Sequence, residues 1–169
     1  MMRFLRYSVA AIIGIALAAI ALILEGETLE TIIFGIKDVP VIDFATLERR
    51  AAPNQFLLCP TSLCSTRTDG AAPVFNVTVP KLQAEWDAMI AEQPRVQVLR
   101  RDLTNMQIDY VQRSRFLRFP DLITVRFLPV DDTHSTLAIY SRSLYGKGDF
   151  GVNRARVEEW LARLKARLG

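Results

Sequence analysis

Leu122-Ile-Thr-Val-Arg-Phe-Leu-Pro-Val130, followed by Asp131-Asp-Thr-His134 and then Leu137-Ala-Ile-Tyr-Ser-Arg142, is the stretch that decides the fold. In the first run Ile123, Val125 and Phe127 alternate with Leu122, Thr124, Arg126 and Leu128, the period of a strand whose two faces differ. The four-residue polar break reads as a turn, and the second run returns as a strand. Strands joined by so short a connection pair antiparallel, because parallel pairing needs a long crossover.

Outward from this hairpin the pattern repeats. Val96–Leu99 and Met106–Phe116 read as two further strands, and Val74–Val79 alternates as another. Pro80 opens a helix at its first turn, with Leu82, Trp86, Met89 and Ile90 on one face, and Pro94 ends it. After Asp149-Phe-Gly151, Asn153 reads as an N-cap before a last helix with Val157, Trp160, Leu161 and Leu164 on one face. A sheet with one apolar face closed by helices is the natural outcome. The expected class is α+β: an antiparallel sheet of about four to five strands with two packed helices, preceded by one N-terminal transmembrane helix.

That last element comes from the run Tyr7–Leu24, which carries no charge and is close to the ~20 residues needed to span a bilayer. Arg3 and Arg6 precede it, and Glu25, Glu27 and Glu30 follow, so the N-terminus is expected in the cytoplasm and the remainder outside. A cleaved signal peptide competes, with Ala19-Ile-Ala21 as a small-x-small site, but the apolar run continues through Leu24. A buried soluble helix would carry a polar face, which this run lacks. Thr28–Ile36 is too short to span; it extends the anchor or lies at the headgroup boundary. The organisation expected is residues 1–6 cytoplasmic, 7–24 a single-pass inner-membrane anchor, 25–73 an irregular arm, and 74–169 a periplasmic globular domain. In the arm, Val41, Phe44 and Leu47 have the spacing of a helical turn that docks on the body, and Asp69-Gly70 reads as a turn.

The chain has 21 Lys and Arg against 18 Asp and Glu, but Arg3 and Arg6 leave with the N-terminus, so the remainder stands at 19 against 18. A near-neutral body lacks the electrostatic footprint of a nucleic-acid binder. The cations of the last helix, Arg154, Arg156, Arg163, Lys165 and Arg167, read as a solvated face favoured near a helix C-terminus. Cys59 and Cys64 are the only cysteines, and in an oxidising periplasm such a close pair is expected as a structural disulfide. Zinc would need further ligands, with His134 the only histidine. The spacing is not that of a Cys-x-x-Cys redox pair, although a redox role stays open.

Three blocks stand out: Pro53-Asn54 with Leu58-Cys-Pro60; Tyr110-Val-Gln-Arg-Ser114 with Phe119-Pro-Asp121; and Tyr140-Ser-Arg-Ser-Leu-Tyr-Gly146 with Asp149-Phe-Gly-Val-Asn-Arg154 and Arg156. Together they resemble the domain of unknown function 1499 family. The resemblance covers about Asn54 to Leu164, and the last block is its specific part. The anchor and the cysteine segment resemble the membrane-attached bacterial subset. The family carries no settled activity, so the resemblance implies domain extent and no mechanism.

The polar residues of these blocks, Tyr110, Asp121, Arg142, Ser143, Asp149, Asn153, Arg154 and Arg156, form the candidate cluster. A helix N-terminus beside Arg142 and Arg154 suits a phosphate, a carboxylate or a lipid headgroup. The same string also reads as a lock, with Asn153 capping the helix, Gly151 supplying an unusual dihedral and Asp149 pairing with Arg142 or Arg154. Enzyme signatures are thin. Ser141 and Ser143 have no neighbouring histidine, and His134 stands in a turn with Asp131 and Asp132. Gly146-x-Gly148-x-x-Gly151 matches a dinucleotide fingerprint in letters, but no strand follows the last helix to complete a βαβ unit. No catalytic residue, metal or cofactor is implied. The function expected is a membrane-anchored, non-catalytic accessory or assembly factor that binds an envelope protein or lipid. The alternatives are a carrier of an apolar ligand in a cavity between the sheet and the helices of Trp86 and Trp160, and an enzyme acting on an anionic substrate at Arg142, Asp149, Asn153 and Arg154.

Overall fold

The computed structural model describes residues 39–169, together with residues 14, 15 and 36. The chain divides into two compact units, residues 1–40 and 41–169, and the second carries all the strands and helices named below. Apart from Gly14 and Ile15, which are helical, the expected anchor at 7–24 lies outside the described residues. Among the described residues, no helix is long and apolar enough to cross a membrane.

Six strands and two helices follow one another in the order β1 (Gln55–Leu58), β2 (Val74–Phe75), α1 (Val79–Ala91), β3 (Val96–Asp102), β4 (Gln107–Arg113), β5 (Pro120–Pro129), β6 (Ser135–Ser143) and α2 (Val152–Leu168). Neighbours in the sheet run β1-β6-β5-β4-β3, with β2 also on β6. All the pairings are antiparallel. The meander β3 to β6 is the one the alternation predicts. The sheet has six strands rather than four to five because Gln55–Leu58, inside the segment expected to be irregular, adds to the free edge of β6 from Ile139 to Arg142. Short and with all four of its residues buried, β1 has no alternation to betray it. The Val74–Val79 strand shrinks to two residues, because Thr78 is already the N-cap position of α1 and Pro80 falls in its first turn.

Every residue of β6 is buried, so this sheet is covered on both faces, not one. Ile108, Tyr110, Ile123, Val125, Phe127, Leu137 and Ile139 face α1 and α2. Trp86 of α1 packs edge to face on Trp160 of α2 at 5.9 Å and on Phe127 at 6.0 Å between ring centroids. Both tryptophans are buried in this core. On the opposite face Leu57, Ala138 and Tyr140 meet Phe44, Cys59 and Cys64 of the arm. Phe44 lies in a bend rather than a helical turn, with Asp43 accepting from the Ala45 amide at 3.0 Å, and Val41 stays exposed.

Several ties hold the arm, among them the hydrogen bond from Gln107 Nε2 to the Ile42 carbonyl at 2.9 Å and that from Thr136 Oγ1 to the Pro73 carbonyl at 2.7 Å. Cys59 and Cys64 form a disulfide, Cα to Cα 6.0 Å, around a turn in which the amides of Leu63 and Cys64 both donate to the Pro60 carbonyl. Asp69 exchanges hydrogen bonds with Leu57, its amide to the Leu57 carbonyl and its carboxylate from the Leu57 amide, both 2.8 Å, and pairs with Arg49 at 2.9 Å. At Gly70 a Cβ would stand 3.0 Å from Leu58 Cδ2, so the bridge between these residues favours glycine.

Trp86→Ala is expected to cost about 3–5 kcal/mol by emptying the contact between the helices. Replacing both cysteines by serine removes only a small closed loop and is expected to cost less than ~3 kcal/mol. Urea midpoints of the two variants check the ranking; equal midpoints would contradict it.

Candidate functional site

Alternation along β4, β5 and β6 puts Gln112, Asp121, Ser141 and Ser143 on the face that carries the helices. Register aligns Gln112, Asp121 and Ser143 as one lateral row. Asn153 and Arg156, three apart on α2 and therefore on one helix face, settle onto that row. Asn153 is fully buried. Its Oδ1 accepts from Ser141 Oγ at 2.7 Å, and its Nδ2 reaches the Asn54 carbonyl at 3.2 Å, Ser143 Oγ at 3.1 Å and Asp149 Oδ2 at 2.7 Å. The Arg156 guanidinium donates to Ser141 Oγ and Asn153 Oδ1, both at 2.8 Å, to Gln112 Oε1, and to Asp121 Oδ2 at 2.5 Å. Arg156 and Asp121 are each 8 % exposed. This is a buried ion pair whose remaining donors are nearly all used, the condition under which attraction offsets the cost of desolvation.

The helix start differs from the expected cap. Gly151, at φ 79°, is the N-cap, and Asn153 lies inside the helix. The capping work falls to Asp149, whose Oδ1 accepts from the Gly151 amide and Oδ2 from the Asn153 amide, each at 3.0 Å. Partial burial pushes the Asp149 carboxyl up, but the donations from Asn153 and Gly151 outweigh it and hold it below the usual carboxylate range.

The remaining candidates separate. Arg142 sits one position out of phase with Ser141 and Ser143 and therefore on the opposite sheet face. There its guanidinium stacks 4.9 Å above the Tyr140 ring and approaches Thr124 Oγ1 at 3.5 Å. Thr124 donates to Asp109 at 2.7 Å, and Arg100 closes on the same carboxylate. Burial lowers the Arg142 pKa to about 10, partly countered by Tyr140 and Asp109, so it remains a cation at neutral pH. Arg154 is exposed, with its guanidinium 4.7 Å over Phe56 and 3.7 Å from Glu158. Tyr110 belongs to the core, accepting from Trp86 Nε1 at 3.0 Å, and burial raises its phenol pKa. The eight residues therefore do not form one cluster. Asp121, Ser143, Asp149, Asn153 and Arg156 meet; Arg142, Arg154 and Tyr110 lie elsewhere. His134 closes its own turn, its Nδ1 within 2.8 Å of the Asp131 carboxylate.

Asn54, Gln112 and Ser141 are the partners that sequence reading did not assign to the site. Asn54 also donates through Nδ2 to the Gly146 carbonyl at 2.9 Å, tying β1 to the loop before α2. The available signal was polar residues on the core-facing phase of β4, β5 and β6, all near the same end of the sheet.

Beside this lock lies an open groove of about 460 Å³ between the β4–β5 loop and the β6–α2 loop. Phe116, Leu117, Tyr145 and Phe150 line it, with Asp121, Ser143 and Asp149 at the lock side. A second depression of about 360 Å³ runs along α2 by Arg156 and Trp160. The lock has the chemistry of a rivet, since its hydrogen bonds close on the chain itself. The groove offers apolar surface.

Residues 51–164 match the family described as "Protein of unknown function (DUF1499)", and the chain belongs to that family. The comparison with curated proteins finds no match.

Asn153→Ala is expected to lower stability by on the order of 3 kcal/mol, because Ser141, Ser143 and the Asn54 carbonyl lose a buried partner together. Arg154→Ala should change it by less than ~1 kcal/mol. Since Asp149 titrates below its unfolded value, its stabilisation is complete above the unfolded carboxyl range and is lost as pH falls through the folded value. Midpoints measured down the acid limb should fall less steeply in Asp149→Asn than in the parent; identical slopes would refute the capping role.

Proposed function

We propose that this DUF1499-family chain is a membrane-anchored periplasmic domain that works without catalysis, as an accessory or assembly factor binding an envelope protein or lipid. The observation that carries the reading is the fate of its polar cluster. Asp149, Asn153, Arg156 and Asp121 direct their hydrogen bonds at one another and at the sheet, while large apolar side chains beside them face solvent. Exposed apolar patches of this kind mark interaction sites.

The uncharged run at 7–24, with arginines before it and glutamates after, supports the anchor and its orientation. The Cys59–Cys64 disulfide fits an oxidising compartment. An enzyme acting on an anion has weaker support, since Arg142 lies on the other sheet face from Asp149 and Asn153. The carrier alternative has the groove at Phe116 and Phe150 in its favour rather than the tryptophans.

Alkaline phosphatase fused at the C-terminus is expected to be active, as only an exported reporter would be; activity confined to a cytoplasmic reporter at that end would overturn the orientation. Affinity purification after gentle solubilisation should co-recover lipid or an envelope protein in fixed ratio. Recovery of the chain alone would contradict the accessory role.

A further inference from the structure

The two loops beside the lock, residues 114–119 and 144–151, present Phe116 at 85 % exposure, Leu117 at 66 % and Phe150 wholly open to solvent. They stand together at one end of the sheet, where β4 ends, β5 begins and β6 ends. Phe150 holds φ 52° and Arg118 φ 58°, left-handed backbone at non-glycine residues in both loops. Such conformations persist where the surroundings impose them. At Phe150 the adjacent Asp149 cap and the Gly151 turn fix the backbone, and the ring is carried outward. The lock therefore serves as the mount for a protruding apolar tip.

The charge around the tip is one-sided. Besides Arg118, which has a partner of its own, the two loops carry Arg115, Lys147 and Asp149, and Asp149 turns its carboxylate inward to Gly151 and Asn153. Asp121 at the groove floor is neutralised by Arg156. The rim is thus cationic. Arg115 lies 5.5 Å from the Phe116 ring, placing charge and apolar surface on one loop. Aromatic and aliphatic side chains that project beyond a collar of Arg and Lys match the boundary of an anionic bilayer, with rings at the acyl edge and cations among the phosphates.

We propose that this tip, Phe116, Leu117 and Phe150 with Arg115 and Lys147, inserts shallowly into an anionic lipid surface. This deepens the preceding reading by naming lipid as the partner of the exposed groove end. Charge complementarity and protrusion carry it, and it does not need the N-terminal anchor to hold.

The test uses the full chain in vesicles of phosphatidylethanolamine and phosphatidylglycerol with brominated acyl chains, and an indole reporter at the tip, Phe150→Trp. Trp86 and Trp160 are buried and give a constant background. Bromine is expected to reduce the reporter's emission about twofold, as for a ring at the acyl boundary. The same reporter at the opposite end of the sheet, Val130→Trp, should be unchanged. Arg115→Glu with Lys147→Glu, or neutral lipid alone, should abolish the quenching at position 150. Phe116→Trp repeats the measurement should Phe150→Trp alter the melting curve. An unquenched reporter at both tip positions in a folded, vesicle-borne chain overturns the proposal, as would quenching equal to that at position 130. A tip occupied by protein instead would give that unquenched result. Failure of the anchor is seen separately, as chain removed by alkaline wash; vesicles added to that free chain then test the tip in the same way.

Discussion

The ion pair between Arg156 and Asp121 is the constraint on which the rest of this domain depends. Each group is buried where an isolated charge is costly, and each is reached from a different element: Arg156 from α2, Asp121 from the start of β5. Desolvating both is tolerable only when the helix sits at one rotation and one height on the sheet. There Asn153, Ser141 and Gln112 take the remaining donors and acceptors. Apolar packing of Val157, Trp160 and Leu164 would hold α2 against the sheet without selecting one such position. The polar row supplies the selection.

From that fixed docking the neighbouring features follow. Because Asn153 is pinned, Asp149 can cap from outside the helix and Gly151 can turn the chain, so the loop before α2 is held at its far end. Asn54 anchors the near end through Gly146 and joins β1 to the same assembly. Phe150 and Phe116 are then displayed on short, tied loops rather than collapsed onto the core. On the other face the arm, its disulfide and the Asp109–Thr124–Arg142 contacts close the sheet independently, which leaves the loop end as the apolar surface next to a rigid mount.

Most of the fold was legible from periodicity. The alternation of Ile123, Val125 and Phe127 and the stripe from Leu82 to Ile90 correspond to β5 and α1, and the antiparallel meander follows from the short connections. What escaped did so for local reasons. Gln55–Leu58 is buried on both sides and too short to alternate, so it read as loop. The covered second face was hidden because Phe44, Leu57 and the cysteines lie far apart in sequence from Ala138 and Tyr140. In the site, Asp121, Ser143, Asp149, Asn153 and Arg156 meet, while Arg142, Arg154 and Tyr110 stand apart. Arg142 differs from Ser141 and Ser143 by one strand position, and a single step reverses the face. Asn153 has the preferred chemistry of a cap, yet a buried position opposite Ser141 claimed its side chain instead. Family membership gives the extent of the domain and leaves its activity to be argued from the molecule.

The most direct measurement is a double-mutant cycle on Arg156→Met and Asp121→Leu, followed by urea denaturation of the four proteins. Each single change strands one buried charge and is predicted to cost about 3–5 kcal/mol. The double variant is predicted to recover most of that loss, because two apolar groups can share the site. Additive losses, or an Arg156→Met protein as stable as the parent, would show that the pair does not set the position of α2.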